Sequence, residues 1–220
     1  MRDRLKIILC TVVTIGILYP AFVSSESRHS DGSTKDQSRV VSLAGPRDLF
    51  QFGRQRLGFV AGYGFGLPLG RGDLDDLQFV RLAPQWGIGI SDPLGGNSWY
   101  RGNFELVVEP FFLGVFEPKN GLAGGLDLLV RYNFLRQGRL IPFIEAGGGV
   151  SAIDFDLRRQ SDGFNFTVQA GIGAHYFLTD RLSLMGQWRY HHISNADIRQ
   201  PNTGINNSLF ILGISLFFGN

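Results

Sequence analysis

The chain has 220 residues, enough for one domain with a sizeable core, and carries 30 glycines and 19 phenylalanines against one cysteine and two methionines. That richness in glycine and aromatics excludes a disordered chain and suits an all-β protein with tight turns. The formal net charge of +2 belongs to the N-terminus, because residues 1–25 hold three basic and one acidic residue and leave eighteen of each behind. There is no electrostatic case for a nucleic-acid partner.

Residues 1–25 read as an export signal. Arg2, Arg4 and Lys6 form a basic n-region, residues 7–18 an apolar stretch too short to span a bilayer, and Val23-Ser24-Ser25 small residues for cleavage. The competing reading is a retained membrane anchor. Cys10 follows Ile7-Ile8-Leu9, which lacks the small residues of a lipoprotein site. Cleavage after Ser25 would leave no cysteine, hence neither disulfides nor thiol catalysis. Residues 26–50 are mostly polar and read as a flexible N-terminal segment, with a short ordered piece near residues 40–43. No later run reaches the ~18 apolar residues of a membrane helix.

Residues 51–220 read as a barrel, and from Arg54 onward the pattern has period two, the signature of strands. Leu57, Phe59, Ala61 and Tyr63 alternate with glycines. Leu82, Pro84, Trp86 and Ile88 share a face in the second segment, and Phe104, Leu106, Val108 and Phe112 in the third. Leu126, Leu128, Val130 and Tyr132 follow, then Pro142, Ile144, Ala146 and Val150, then Phe164 to Tyr176 on even positions. Residues 182–194 form the seventh segment. The eighth, 206–218, carries Phe210, Leu212, Ile214 and Leu216 on one face.

Several segments exceed the roughly 5–6 residues of an ordinary strand and match the ~9–11 of a tilted membrane-spanning one. Their polar faces carry Glu105, Glu109, Asp127, Arg131, Glu145 and Arg189 in mid-strand. Such groups cannot face lipid but can pair inside a narrow lumen. Trp99, Tyr100, Tyr132, Tyr176, Trp188 and Tyr190 fall near segment ends, as an interfacial girdle requires. The expected fold is therefore all-β, an eight-stranded antiparallel transmembrane β-barrel of outer-membrane type, closed so that no edge is left unpaired. The even connections, centred on 92–98, 136–139 and 178–181, would be periplasmic. The odd ones (66–76, 114–121, 153–163 and 195–206) tend to be longer and would be extracellular. The alternative is a soluble barrel of lipocalin type with the apolar face inside.

His192 and Ser194 lie on the same even face as Leu182, Leu184, Trp188 and Tyr190, because alternate strand residues share a face. A possible base and nucleophile thus sit on the greasy side of the seventh segment, roughly 7 Å apart at Cα by strand rise. The last two segments form a hairpin that brings Asn206 to the same face, opposite His192. Asn195 could donate to an oxyanion from its side chain, with a backbone N–H nearby. On spacing alone the signal is weak, because a His-x-Ser pair at a strand end is more often an interfacial polar cap.

The run Tyr190-His191-His192-Ile193-Ser194-Asn195-Ala196, followed by Gln200-Pro201-Asn202-Thr203-Gly204-Ile205-Asn206 and a closing strand over residues 209–218, resembles the lipid A 3-O-deacylases of PagL type, grouped with outer-membrane acyloxyacyl hydrolases. The resemblance is specific over about 30 residues and architectural elsewhere. It implies an eight-stranded outer-membrane barrel whose catalytic residues face lipid near the outer leaflet. It also implies His192 as general base, Ser194 as nucleophile, and Asn195 with the amide near Ala196 as the oxyanion site. The family's orienting acid is a glutamate about twelve residues after the serine, and here that position is Asn206. An amide oxygen can still accept from the imidazole but cannot offset its positive charge.

The implied substrate is lipid A, within lipopolysaccharide and among outer-membrane lipids, and no cofactor is implied. The alternative of the same descent is a catalytically silent barrel with a structural or adhesive role, which Asn206 favours. A passive solute pore is a narrower reading, for which eight strands leave little lumen. Asp197 is the nearest other carboxylate, though on the opposite parity. His191 and His175 read as lumen residues, and Arg71 and Arg199 as loop cations able to meet lipid A phosphates. No Cys/His cluster suggests a metal. The sequence leaves open whether the barrel works as a monomer or a homodimer.

Overall fold

Strict alternation of apolar residues with polar residues or glycine produces eight long strands in the computed structural model of the chain. They are β1 (Gln55–Gly66), β2 (Gln78–Gly89), β3 (Gly102–Glu117), β4 (Gly121–Phe134), β5 (Leu140–Asp154), β6 (Gly163–Phe177), β7 (Leu182–Ser194) and β8 (Ile205–Phe218). Each pairs antiparallel with its sequence neighbours, and β1 pairs with β8 to close the barrel. The structure describes residues 46–69, 77–136, 138–158 and 160–219. The expected export signal, residues 26–45 and Arg71 lie outside them.

The two faces of the wall have opposite chemistry. Outward positions such as Leu57, Phe59, Leu128, Ile172, Leu184 and Leu212 are apolar and exposed over the whole circumference. Inward positions at mid-height are charged and buried. Arg56 pairs with Glu105, Arg81 with Glu109 and Asp127, Arg131 with Glu145, and Arg189 with both Glu109 and Glu145. Four guanidinium groups meet four carboxylates, so the lumen carries no net charge from this belt. Charges withdrawn from water are tolerated only when paired and hydrogen-bonded in this way. The sequence pointed to Arg131 and Arg189 as the cationic partners; the structure adds Arg56 and Arg81. His175 and His191 are buried in the lumen as expected, His175 between Arg131 and Ser183.

Apolar side chains close the lumen on both sides of the charged belt. Toward the end that bears the odd-numbered connections, here the upper end, Phe79, Leu113, Val115, Ile153, Ile193 and Ile205 join one buried cluster. At the lower end Leu135, Ile141, Phe177 and Phe217 form a second, completed by Phe50. Phe50 sits with its ring centroid 5.2 Å from that of Phe217 and 6.0 Å from that of Phe177. Residues 46–50, which composition alone assigns to a flexible segment, thus form a 3-10 turn (Pro46–Leu49) and a stopper. The chain crosses close under β2, where Gly53 N–H donates to the Gly89 carbonyl. A side chain at Gly89 would run into the Gln51 carbonyl oxygen, which is why glycine is required there.

Two connections differ from expectation. β3 and β4 continue their alternation nearly to the turn, so only residues 118–120 join them at the upper end, in place of a long loop. The lower connection between β2 and β3, residues 90–101, is correspondingly longer and exposes Trp99.

Candidate active site

Period-two geometry sends alternate residues of β7 to opposite sides of the wall. Arg189, His191 and Ile193 are buried in the lumen, whereas Trp188, Tyr190, His192 and Ser194 face outward. Across the wall His192 lies opposite Val168 of β6 and Asn206 of β8, and Ser194 lies opposite Phe166. A serine and a histidine therefore sit on an apolar outer surface at the upper rim, where β7 ends.

The imidazole is held through one nitrogen. Its Nδ1 lies 2.7 Å from Asn206 Oδ1, and Tyr190 donates its hydroxyl to the same oxygen at 2.5 Å. Asn206 Nδ2 donates to the backbone carbonyl of Leu69, while Leu67 N–H donates to the Asn206 carbonyl at 2.7 Å. These partners decide the orientation of the amide. A carbonyl only accepts, so Nδ2 must face Leu69 and Oδ1 must face His192. An amide oxygen also only accepts, so Nδ1 carries a proton, and in the neutral ring Nε2 is the nitrogen with the lone pair that a general base needs.

Ser194 has a separate set of partners. Its Oγ receives the Ala196 N–H at 3.3 Å and lies 3.4 Å from both polar atoms of the Asn202 side chain. Asn202 Oδ1 accepts the Asn195 N–H at 3.1 Å, and its Nδ2 donates to Asp197 Oδ1 at 3.1 Å. That pairing again fixes the flip and turns the remaining Nδ2 hydrogen toward Ser194. Among the described residues no hydrogen bond joins His192 to Ser194. Such bonds commonly tighten only when substrate binds. The chain turns back beyond the strand because Ala196 and Asp197 adopt left-handed backbone angles, with φ of 52° and 61°.

One sequence expectation changes here. Asn195 does not offer its side chain to the serine: it is buried, and both amide hydrogens are committed, to Ser161 Oγ and to the Arg199 carbonyl, each at 2.7 Å. The side-chain N–H beside Ser194 is that of Asn202 instead, and the Ala196 N–H reaches the same Oγ. Asp197 does not stand in for the missing acid either, since its carboxylate accepts from Asn202 and Gln200. The only sequence signal for Asn202 is its place in the motif, because a loop residue eight positions downstream of the serine has no parity to read. Arg199 reaches the Asp162 carbonyl and so braces two connections. Among the described residues no cluster of His, Cys, Asp and Glu could hold a metal ion.

The outer wall below the pair leaves few polar atoms free. Trp188 Nε1 donates to Ser208 Oγ at 2.8 Å, and Tyr190 to Asn206 as above. Phe164 and Phe166 stack edge to face on one side, and Phe65 and Phe210 stack on the other. The arrangement can place a nucleophile, a base and two N–H donors against a substrate whose chain lies along an apolar wall.

Comparison with known proteins bears on the family and the fold. The family model "Lipid A 3-O-deacylase (PagL)" matches residues 70–215. The fold is similar to the crystal structure of the outer membrane enzyme PagL, with 22% identity, a TM-score of 0.54, and coverage of 71% of this chain and 97% of that one. It is also similar to Neisserial surface protein A (NspA), with 14% identity, a TM-score of 0.51, and coverage of 74% and 97%. No curated protein matches the sequence. These likenesses establish an outer-membrane barrel fold.

Proposed function

This chain belongs to the PagL family of lipid A 3-O-deacylases, and from that premise we propose that it is an outer-membrane serine esterase that removes one ester-linked acyl chain from lipid A. The observation that carries the reading is the Asn206–His192 hydrogen bond, with its forced amide orientation, next to Ser194 on the lipid-facing wall.

In this reading Ser194 Oγ attacks the ester carbonyl while His192 Nε2 takes the hydroxyl proton. The carbonyl oxygen of the tetrahedral intermediate is stabilised by the Ala196 N–H and by Asn202 Nδ2, held in place by Asp197. Collapse breaks the ester C–O bond, and the imidazolium returns its proton to the departing sugar oxygen. Water, deprotonated by the same imidazole, then releases the fatty acid. The acyl tail lies along the apolar wall of β6, β7 and β8, so the substrate need not leave the bilayer. The upper end faces the outer leaflet, where lipid A resides, and an N-terminal export signal over residues 1–25 delivers the chain. Nothing in this scheme requires a cofactor or a second copy of the chain.

Asn206 in place of the family's glutamate favours one other reading, a barrel without catalysis and with a structural or adhesive role. Mass spectrometry of lipid A from a host expressing the chain separates the two. Loss of one hydroxyacyl chain, absent with Ser194→Ala, supports the esterase. Unchanged lipid A, with both proteins folded in the outer membrane, supports the silent barrel.

A further inference from the structure

We infer that Gln160, in the connection between β5 and β6, is a positioning residue that holds both halves of the site from the neighbouring loop. The inference rests on the esterase reading of His192 and Ser194. Gln160 is buried, although it belongs to a polar outer connection. Its Oε1 accepts the N–H of Gly204 at 3.1 Å, and its Nε2 donates to Asn165 Oδ1 at 2.7 Å. Its backbone forms an isolated bridge with Asn202. One residue thus grips residues 202 and 204 together.

Those two positions lie on either side of the reacting groups. Gly204 is buried, adopts a left-handed backbone with φ of 73°, and presses against the imidazole: a Cβ added there would lie 2.7 Å from His192 Cε1. Gly204 therefore backs the ring on the edge between its two nitrogens. Asn202 is the side-chain donor beside Ser194. If residue 204 withdraws, the ring gains room to tilt about its one bond to Asn206; if residue 202 shifts, the donor leaves the serine. Misplacement by about 1 Å can cost a large factor in rate without touching the chemistry.

The partners of Gln160 also specify the residue type. Gly204 N–H needs an acceptor, and Asn165 Oδ1 needs a donor, because Asn165 Nδ2 is itself committed to the Gly163 carbonyl. A side-chain amide supplies both. Glutamate supplies the acceptor and loses the donor, and leucine, of similar size, supplies neither.

The test uses the full chain in detergent micelles, with Gln160→Leu and Gln160→Glu beside the parent. The readouts are kcat and KM for acyl release, the rate of Ser194 labelling by a fluorophosphonate, and the nuclear Overhauser contact between His192 Cε1–H and the Gly204 α-protons. In Gln160→Leu the contact should weaken, and labelling and kcat should fall about tenfold with KM unchanged. Gln160→Glu should keep the contact, because it keeps the Gly204 acceptor, and should label at a rate between those of the parent and the leucine variant, because its buried carboxylate meets Asn165 Oδ1 without a donor. If Gln160→Leu does not fold, Gln160→Ser, too short to reach Gly204, takes its place. Parent-like labelling and an intact contact in the leucine or serine variant would overturn the inference. So would a glutamate variant that loses the contact, because the Gly204 acceptor would then not be the link. A parent that neither labels nor releases acyl chains, but loses the contact on substitution, keeps the positioning role and rejects the esterase.

Discussion

His191 and His192 are adjacent in β7 and meet entirely different surroundings. The inner face of the strand belongs to a closed lattice in which Arg189 is shared by Glu109 and Glu145, with His191 packed edge-on to Phe111. The outer face is an apolar wall interrupted by a few paired polar tips, of which His192 and Ser194 lie at the rim. Inside, guanidinium and carboxylate groups pair in a low-dielectric space while both ring nitrogens of His191 have no hydrogen-bond partner among the described residues, and stability depends on keeping the charged pairs intact. Outside, His192 Nε2 and Ser194 Oγ are the groups to which the proposed function assigns the chemistry. In this narrow barrel, then, the polar face serves the fold, and the proposed chemistry lies on the face turned toward lipid.

Substitutions on the two faces should therefore separate activity from stability. The largest expected effect is on the outer face: Ser194→Ala should lower acyl release by about 10⁴-fold or more, with the unfolding midpoint unchanged. Release assayed on purified lipid A in micelles, alongside denaturant unfolding, checks both halves. Next comes the lumen, where Glu109→Ala leaves Arg81 and Arg189 each short of a buried partner and should destabilise the barrel by about 3–5 kcal/mol. Urea unfolding in vesicles measures it. A change below about 1 kcal/mol would mean that water repairs the lattice.

A smaller effect, of opposite sign, is expected from Asn206→Glu. A carboxylate opposite His192 can offset the imidazolium that forms in the transition state, so acyl release should rise by at least about tenfold. Loss of activity instead would show that the bond from Asn206 Nδ2 to the Leu69 carbonyl matters more than charge. The smallest effect is Tyr190→Phe, which removes one of two donors on Asn206 Oδ1 and leaves the Leu69 constraint in place. A loss of about two- to tenfold in kcat is expected, as for one hydrogen bond. A much larger loss would make Tyr190, rather than Leu69, the group that orients the amide.

Much of the contrast between the two faces is legible in the amino-acid sequence. The alternation of Trp188, Tyr190, His192 and Ser194 against Arg189, His191 and Ile193 assigns the faces, because successive Cβ atoms of a strand must point to opposite sides. The hairpin likewise brings Asn206 opposite His192, since antiparallel neighbours in a closed sheet have a definite register. The period-two signal stops at Ser194. Beyond it the local pattern says nothing of which atoms converge, and there the reading of Asn195 as a donor gives way to Asn202.

The all-β class, the eight strands, the lipid-facing position of His192 and Ser194, and the family motif were all determined at the level of sequence. Each depends on strand periodicity or on contiguous residues. Tertiary structure alone decided that Phe50 closes the lower end and that Arg56 and Arg81 complete the charged belt. It also decided that Asn206 donates to the Leu69 carbonyl, that Gln160 accepts from Gly204 and that the Asn202 side chain lies beside Ser194. Each of those contacts joins elements whose separation along the chain carries no period, so only closure of the barrel and the packing of its connections could bring them together.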